Sequence, residues 1–141
     1  MHNYSNNGVY VDIVEIVSKS GVGYNGHMLT RYLKFIDVFS GTKIKGSTEL
    51  HHILPKSIFP QYSSLKTNVF NKAHLPSRAH YVAHSMLCKI FPTETAMWYA
   101  CYCMSHQANP DTQPSRSSIR VNSKMYETAK IVVSRLVHTF G

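Results

Sequence analysis

At 141 residues the chain is long enough for one domain with its own core and too short for two. No apolar run approaches the roughly 20 residues that a membrane span requires, which excludes an integral membrane protein of the helical kind. Fifteen Lys and Arg against seven Asp and Glu leave a net charge of +8, a balance that favours a polyanionic partner.

The opening stretch, Met1 to Gly8, is polar and Asn-rich and has neither the basic start nor the apolar core of a secretory signal. Cys88, Cys101 and Cys103 are an odd set, and the only close pair is separated by one residue, too few for a zinc knuckle. Reduced, buried thiols in a cytoplasmic protein are the expectation. Residues 8 to 19 carry apolar side chains at Val9, Val11, Ile13, Val14, Ile16 and Val17, a pattern that fits a short helix or a strand. Helix is the reading adopted, making 8–40 an N-terminal helical region. Asn25 can cap a second helix from about His27 to Phe39, with Leu29, Tyr32, Leu33, Ile36 and Phe39 on one face.

Between Lys43 and Phe70 the pattern changes to short β-like or irregular pieces broken by Gly46, Pro55, Pro60, the Ser63-Ser64 pair and Asn68. Pro76 and Ser77 open a third helix that Pro92 stops, with Tyr81, Met86, Leu87 and Ile90 placed to pack inward. A fourth helix is expected over Glu94 to His106, where AMWYACYCM is apolar enough for a core element. A polar loop follows at 107–118, and Ser123 can cap a last helix from Lys124 to about Thr139. The fold class expected is α+β: a core at 43–91 made of a short β-hairpin and a helix, flanked by mainly helical segments at 8–40 and 93–141.

Nine histidines are present, and His51, His52, His74, His80 and His84 fall within 34 residues, together with Glu49 and Asn71. His80 and His84 are four apart in a helical segment, so both rings project from one face a turn apart, a spacing suited to gripping one cation. His51 can supply a third ligand from a neighbouring strand. Three protein ligands leave coordination positions open for water or a phosphate oxygen, as catalytic rather than closed structural sites do. If His51 turns to the ion, His52 points to the other side of an extended segment or is re-aimed by local distortion. A neutral imidazole near pKa 6.5 suits the activation of water.

The string ELHHILP (Glu49 to Pro55), followed by Asn71 and by RAHYVAH (Arg78 to His84), resembles the HNH endonucleases with a ββα-metal core. The HYxAH ending is shared with small phage and intron-encoded homing endonucleases, and the ligand spacing is similar to that of the colicin DNases. The likeness covers about residues 49 to 90. It implies that His51, His80 and His84 bind one divalent ion, that His52 is the general base, that Asn71 holds the loop between the strands, and that Glu49 orients a histidine or an arginine. Residues 53 to 70 form a longer hairpin than compact family members have, which makes Asn68 a rival to Asn71; the spacing to His80 favours Asn71.

The resemblance further implies a partner, double-stranded DNA, and a reaction, phosphodiester hydrolysis, carried out in the cytoplasm of an infected or host bacterial cell. Imidazole ligation favours Zn²⁺ or Ni²⁺ for binding, while turnover can rest on Mg²⁺ or Mn²⁺. From Lys43 to Lys89 seven basic residues stand against one acid, Glu49. Lys56, Lys72 and Arg78 are the expected phosphate contacts beside the site, and Arg116, Arg120, Lys124, Lys130 and Arg135 extend the reach along the duplex. A single chain with one active site nicks, and a homodimer is the arrangement that cuts both strands. Two alternatives stand beside homing: a non-catalytic, zinc-stabilised nucleic-acid-binding module, and an HNH nuclease of restriction or toxin type.

Overall fold

The computed structural model describes residues 3–6, 8–40 and 48–106. The expected helix over 124–139 and the basic residues Arg116, Arg120, Lys124, Lys130 and Arg135 lie outside the described residues. Those described form a mixed α/β structure of two small antiparallel hairpins and four helices.

Strand β1 (Asn3–Asn6) pairs with β2 (Val9–Asp12), and Gly8, at φ 83°, supplies the left-handed residue of the two-residue link between them. The expectation of one helix across 8–19 is therefore corrected: its first part is a strand, and helix α1 (Ile13–Lys19) begins only at Ile13. The divider is Asp12, whose carboxylate accepts a hydrogen bond from Glu15 N at 3.2 Å and so caps the helix. Val9 and Tyr10 stand exposed on the hairpin, while Ile13 and Val17 of α1 are fully buried. One apolar stretch thus serves two periodicities in succession.

Helix α2 (Gly26–Ser40) starts where Asn25 Oδ1 accepts from Met28 N at 3.1 Å, and it buries Leu29, Tyr32, Leu33 and Ile36. Strand β3 (Glu49–His52) pairs with β4 (Lys72–Leu75) in the register Glu49 with Leu75, Leu50 with His74, His51 with Ala73 and His52 with Lys72. Helix α3 (Ser77–Ile90) follows at once, and after a turn through Phe91 to Glu94 the chain enters α4 (Thr95–His106). Helix α3 packs between α2 and α4, and α2 also packs on β4. Cys88 and Cys101 are buried free thiols in the α3–α4 contact, and Cys103 is half-buried.

The segment joining β3 to β4 is irregular yet ordered, with single 3₁₀ turns at Pro60–Tyr62 and Val69–Asn71. Asn71, wholly buried, organises it. Its Oδ1 accepts from Leu54 N at 2.6 Å, and its Nδ2 donates to Leu54 O at 3.2 Å and to Tyr62 O at 3.1 Å. Its main-chain carbonyl accepts from Ile53 N at 2.9 Å. The rival, Asn68, is peripheral, and among the described residues its side chain bonds within its own turn, to Ser64 O and Thr67 Oγ1. A second tether joins the two hairpins: Asn6 donates to Thr67 O and accepts from Val69 N.

Asn71→Ala would leave one amide and two carbonyls of this segment without their side-chain partner. Each unmade buried bond costs about 1–3 kcal/mol, so the variant is expected to lose on the order of 3 kcal/mol or more in urea unfolding. A loss below about 1 kcal/mol would show that the loop holds its shape without this side chain.

Candidate metal centre

The alternation of β3 decides which side chains enter the site. Glu49 and His51 face α3, whereas Leu50 and His52 face outward, opposite His74 and Lys72 of β4. Helix α3 presents His80 and His84 one turn apart toward the same strand face. The three rings of His51, His80 and His84 therefore converge, with centroids 5.1 Å (51 to 80), 5.2 Å (51 to 84) and 4.9 Å (80 to 84) apart. Each ring meets the others edge-on, at interplanar angles of 66° to 79°. One nitrogen from each lies within 4.8 Å of the others, so the trio could hold a metal ion.

Two of the rings, His80 and His51, are also gripped from behind. His80 Nδ1 donates to Glu49 Oε1 at 2.8 Å, and the other carboxylate oxygen accepts from Ser77 Oγ at 2.9 Å. This fixes the ring's orientation and leaves Nε2 as the nitrogen that can meet a ligand, the arrangement usual for a metal-binding histidine backed by a carboxylate. His51, 1% exposed, has its Nε2 2.7 Å from the Tyr32 hydroxyl, which is also 2.7 Å from Ile53 O. Its Nδ1 is buried and makes no hydrogen bond among the described residues. An unsatisfied buried nitrogen facing two further imidazoles fits a cation: an ion there would accept the lone pair that nothing else uses.

Burial, first, and then the neighbouring His84, His80 and His52 rings disfavour a proton on His51 and hold its pKa well below the usual 6.5. In the unfolded chain this imidazole takes up a proton near pH 6.5, and in the ion-free fold it does so only at lower pH. Below pH 6.5 the unfolded state thus binds more protons, and stability should fall as pH falls, with a slope approaching about 1.4 kcal/mol per pH unit. Urea unfolding of the ion-free protein between pH 7.5 and 5, beside the same series for His51→Gln, measures this. Equal slopes would show that His51 protonates alike in both states.

His52 is not one of the trio. Half-buried on the outward side of β3, it places Nε2 3.0 Å from Ser63 O. A carbonyl only accepts, so Nε2 carries the hydrogen of this bond, and in the neutral ring the lone pair sits on Nδ1. His51, His52, His80 and His84 nevertheless line one cavity of about 260 Å³, walled by Leu50, Pro55, Lys56 and Ser57 on one side and by Ala96, Met97 and Ala100 of α4 on the other.

Of the proposed phosphate contacts, Lys56 is at the cavity mouth, Lys72 lies across the hairpin from His52, and Arg78 is in the first turn of α3; all three are exposed. His74 is exposed on the same outward face as Lys72. Three contributors were not anticipated from the sequence: Tyr32 behind His51, Ser77 behind Glu49 and the Ser63 carbonyl behind His52. Tyr32 was expected only as a core residue, though a buried phenol needs a partner for its hydroxyl, which is a partial signal. A main-chain carbonyl carries none.

No helix among the described residues is long and apolar enough to cross a membrane. No family profile, no curated protein and no solved structure matches the chain, so the functional reading rests on the geometry of the histidines themselves.

Proposed function

We propose that the chain is a metal-dependent DNA endonuclease of the HNH type, hydrolysing phosphodiester bonds in double-stranded DNA as the small phage and intron-encoded homing enzymes do. The observation that carries this reading is His52, a fourth imidazole in the same cavity as the histidine trio, tied back by a main-chain carbonyl so that its other nitrogen can take a proton. A purely structural metal site has no use for such a group. The order β3, β4, α3, with ligands from the first strand and the helix, supports the same reading.

In this mechanism His51 Nδ1, His80 Nε2 and a nitrogen of His84 would hold one divalent ion, with Glu49 and Ser77 keeping His80 in place. The ion, when bound, supplies the Lewis acidity that neutralises charge on the scissile phosphate and on the departing oxygen. His52 Nδ1 takes the proton of the attacking water, and the Ser63 carbonyl stabilises the ring as it becomes charged. Asn71 pins Leu54 and Tyr62, the second of these next to the Ser63 carbonyl acceptor, and so keeps His52 aimed. Lys56, Lys72 and Arg78 bind flanking phosphates, a contribution that salt should weaken.

The test is to incubate the purified full chain with plasmid and linear duplex DNA plus Mg²⁺, Mn²⁺, Ni²⁺ or Zn²⁺, and to map cut ends by sequencing. Ion-dependent ends with a defined position are the expected result. Stoichiometric zinc, DNA binding and no cleavage with any ion would favour the non-catalytic module instead.

A further inference from the structure

Tyr32 belongs to α2, outside the hairpin and helix that carry the histidines, yet among the described residues it is the one hydrogen-bond partner of the His51 ring. Its hydroxyl has one hydrogen and two near neighbours, His51 Nε2 and Ile53 O, both at 2.7 Å. The Ile53 carbonyl can only accept, so the phenol hydrogen goes there. Toward His51 the phenol oxygen can then only accept, which requires a hydrogen on Nε2. The opposite choice would set two oxygen lone pairs against each other at 2.7 Å and place a hydrogen on Nδ1, where no buried acceptor meets it.

We propose that Tyr32 is a positioning residue for the metal centre: through the relay Ile53 carbonyl, Tyr32 hydroxyl, His51 Nε2–H, it fixes the tautomer of His51 and turns the Nδ1 lone pair toward the ion. The relay starts and ends on one short segment, since His51 lies in β3 and Ile53 directly follows the strand's last residue, His52, while the phenol comes from α2. Helix α2 therefore acts as a template that holds the ligand in its binding form before any ion arrives. This inference rests on the metal-centre reading above and says nothing of His52.

Long-range ¹H–¹⁵N correlation spectra of the ion-free full chain read the tautomer directly. The expected pattern for His51 is protonated Nε2 with unprotonated Nδ1, and a protonated Nδ1 would overturn the proposal whatever the variants do. Zn²⁺ titration against a competing chelator supplies the second measurement. Tyr32→Phe, which keeps the ring and removes the hydroxyl, is expected to mix the two tautomers of His51 and to weaken Zn²⁺ binding by about 10- to 100-fold, as loss of a partner behind a metal ligand does. Tyr32→Phe that is folded by circular dichroism, with unchanged tautomer and Zn²⁺ affinity, would overturn it. If the unaltered chain fails to bind Zn²⁺, Co²⁺, Mn²⁺ and Mg²⁺ alike, the metal-centre reading fails, and the tautomer spectrum still decides the relay.

Discussion

His52→Ala is expected to slow DNA cleavage by about 10²- to 10⁴-fold, the range that one general base contributes, while metal content and DNA affinity stay close to those of the unaltered chain. The split follows from geometry. His52 shares the cavity but is not one of the trio, its ring bonds to Ser63 O among the described residues, and it takes no part in the contacts of Glu49, Ser77 or Tyr32. Truncation frees a carbonyl beside a solvent-connected cavity, where water can take its place, so the fold should persist. Single-turnover cleavage under saturating DNA, paired with elemental analysis, separates rate from occupancy. Turnover at the original rate would remove His52 from the mechanism, and loss of the ion together with rate would make it a ligand.

His80→Ala and His84→Ala should behave in the opposite way and lose the ion as well as the activity. Each removes one of three nitrogens that the fold brings within 4.8 Å, and two imidazoles hold a divalent ion far less tightly than three. The loss should exceed the roughly 10- to 100-fold that removal of an outer partner costs. Glu49→Gln provides the graded comparison: it keeps an acceptor near His80 Nδ1, removes the charge, and should fall within that smaller range. Chelator competition ranks the three variants. Full occupancy in both histidine variants would place the ion elsewhere, and a Glu49→Gln loss equal to theirs would make Glu49 itself a ligand.

Much of this arrangement is legible in the sequence because it rests on local periodicity. His80 and His84 share a face in any helix, and α3 runs Ser77–Ile90 against an expectation that began at Ser77 and ended at Phe91. Asn25 and Pro92 punctuate their helices through side-chain and ring chemistry that residue type alone reveals. The contact of Glu49 with His80 depends on the register of β3 against β4 and on the angle of α3, so its existence could be argued only from a family likeness, not from spacing.

Where the reading of 8–19 failed, a competing signal was present. Asn7-Gly8 before an alternating Val9-Tyr10-Val11 is a hairpin pattern, and Asp12 before an apolar run is a helix cap; the apolar periodicity of the whole stretch hid both. Tyr32 behaved as expected in being buried, but its partner lies 19 residues away on another element, and no local rule reaches that far.

The histidines that converge come from two elements that meet along a seam, one from β3 and two from α3. An ion held there would be a rivet across that seam, and prying the hairpin from the helix would then require losing it. The local opening that exposes β3 and β4 amides to solvent should become rarer as the ion's free concentration rises, by the same mass action that raises global stability. The helix, which offers two imidazoles one turn apart, can take the ion before the strand arrives. The metal would then help to select the docked hairpin during folding as well as to hold it afterwards.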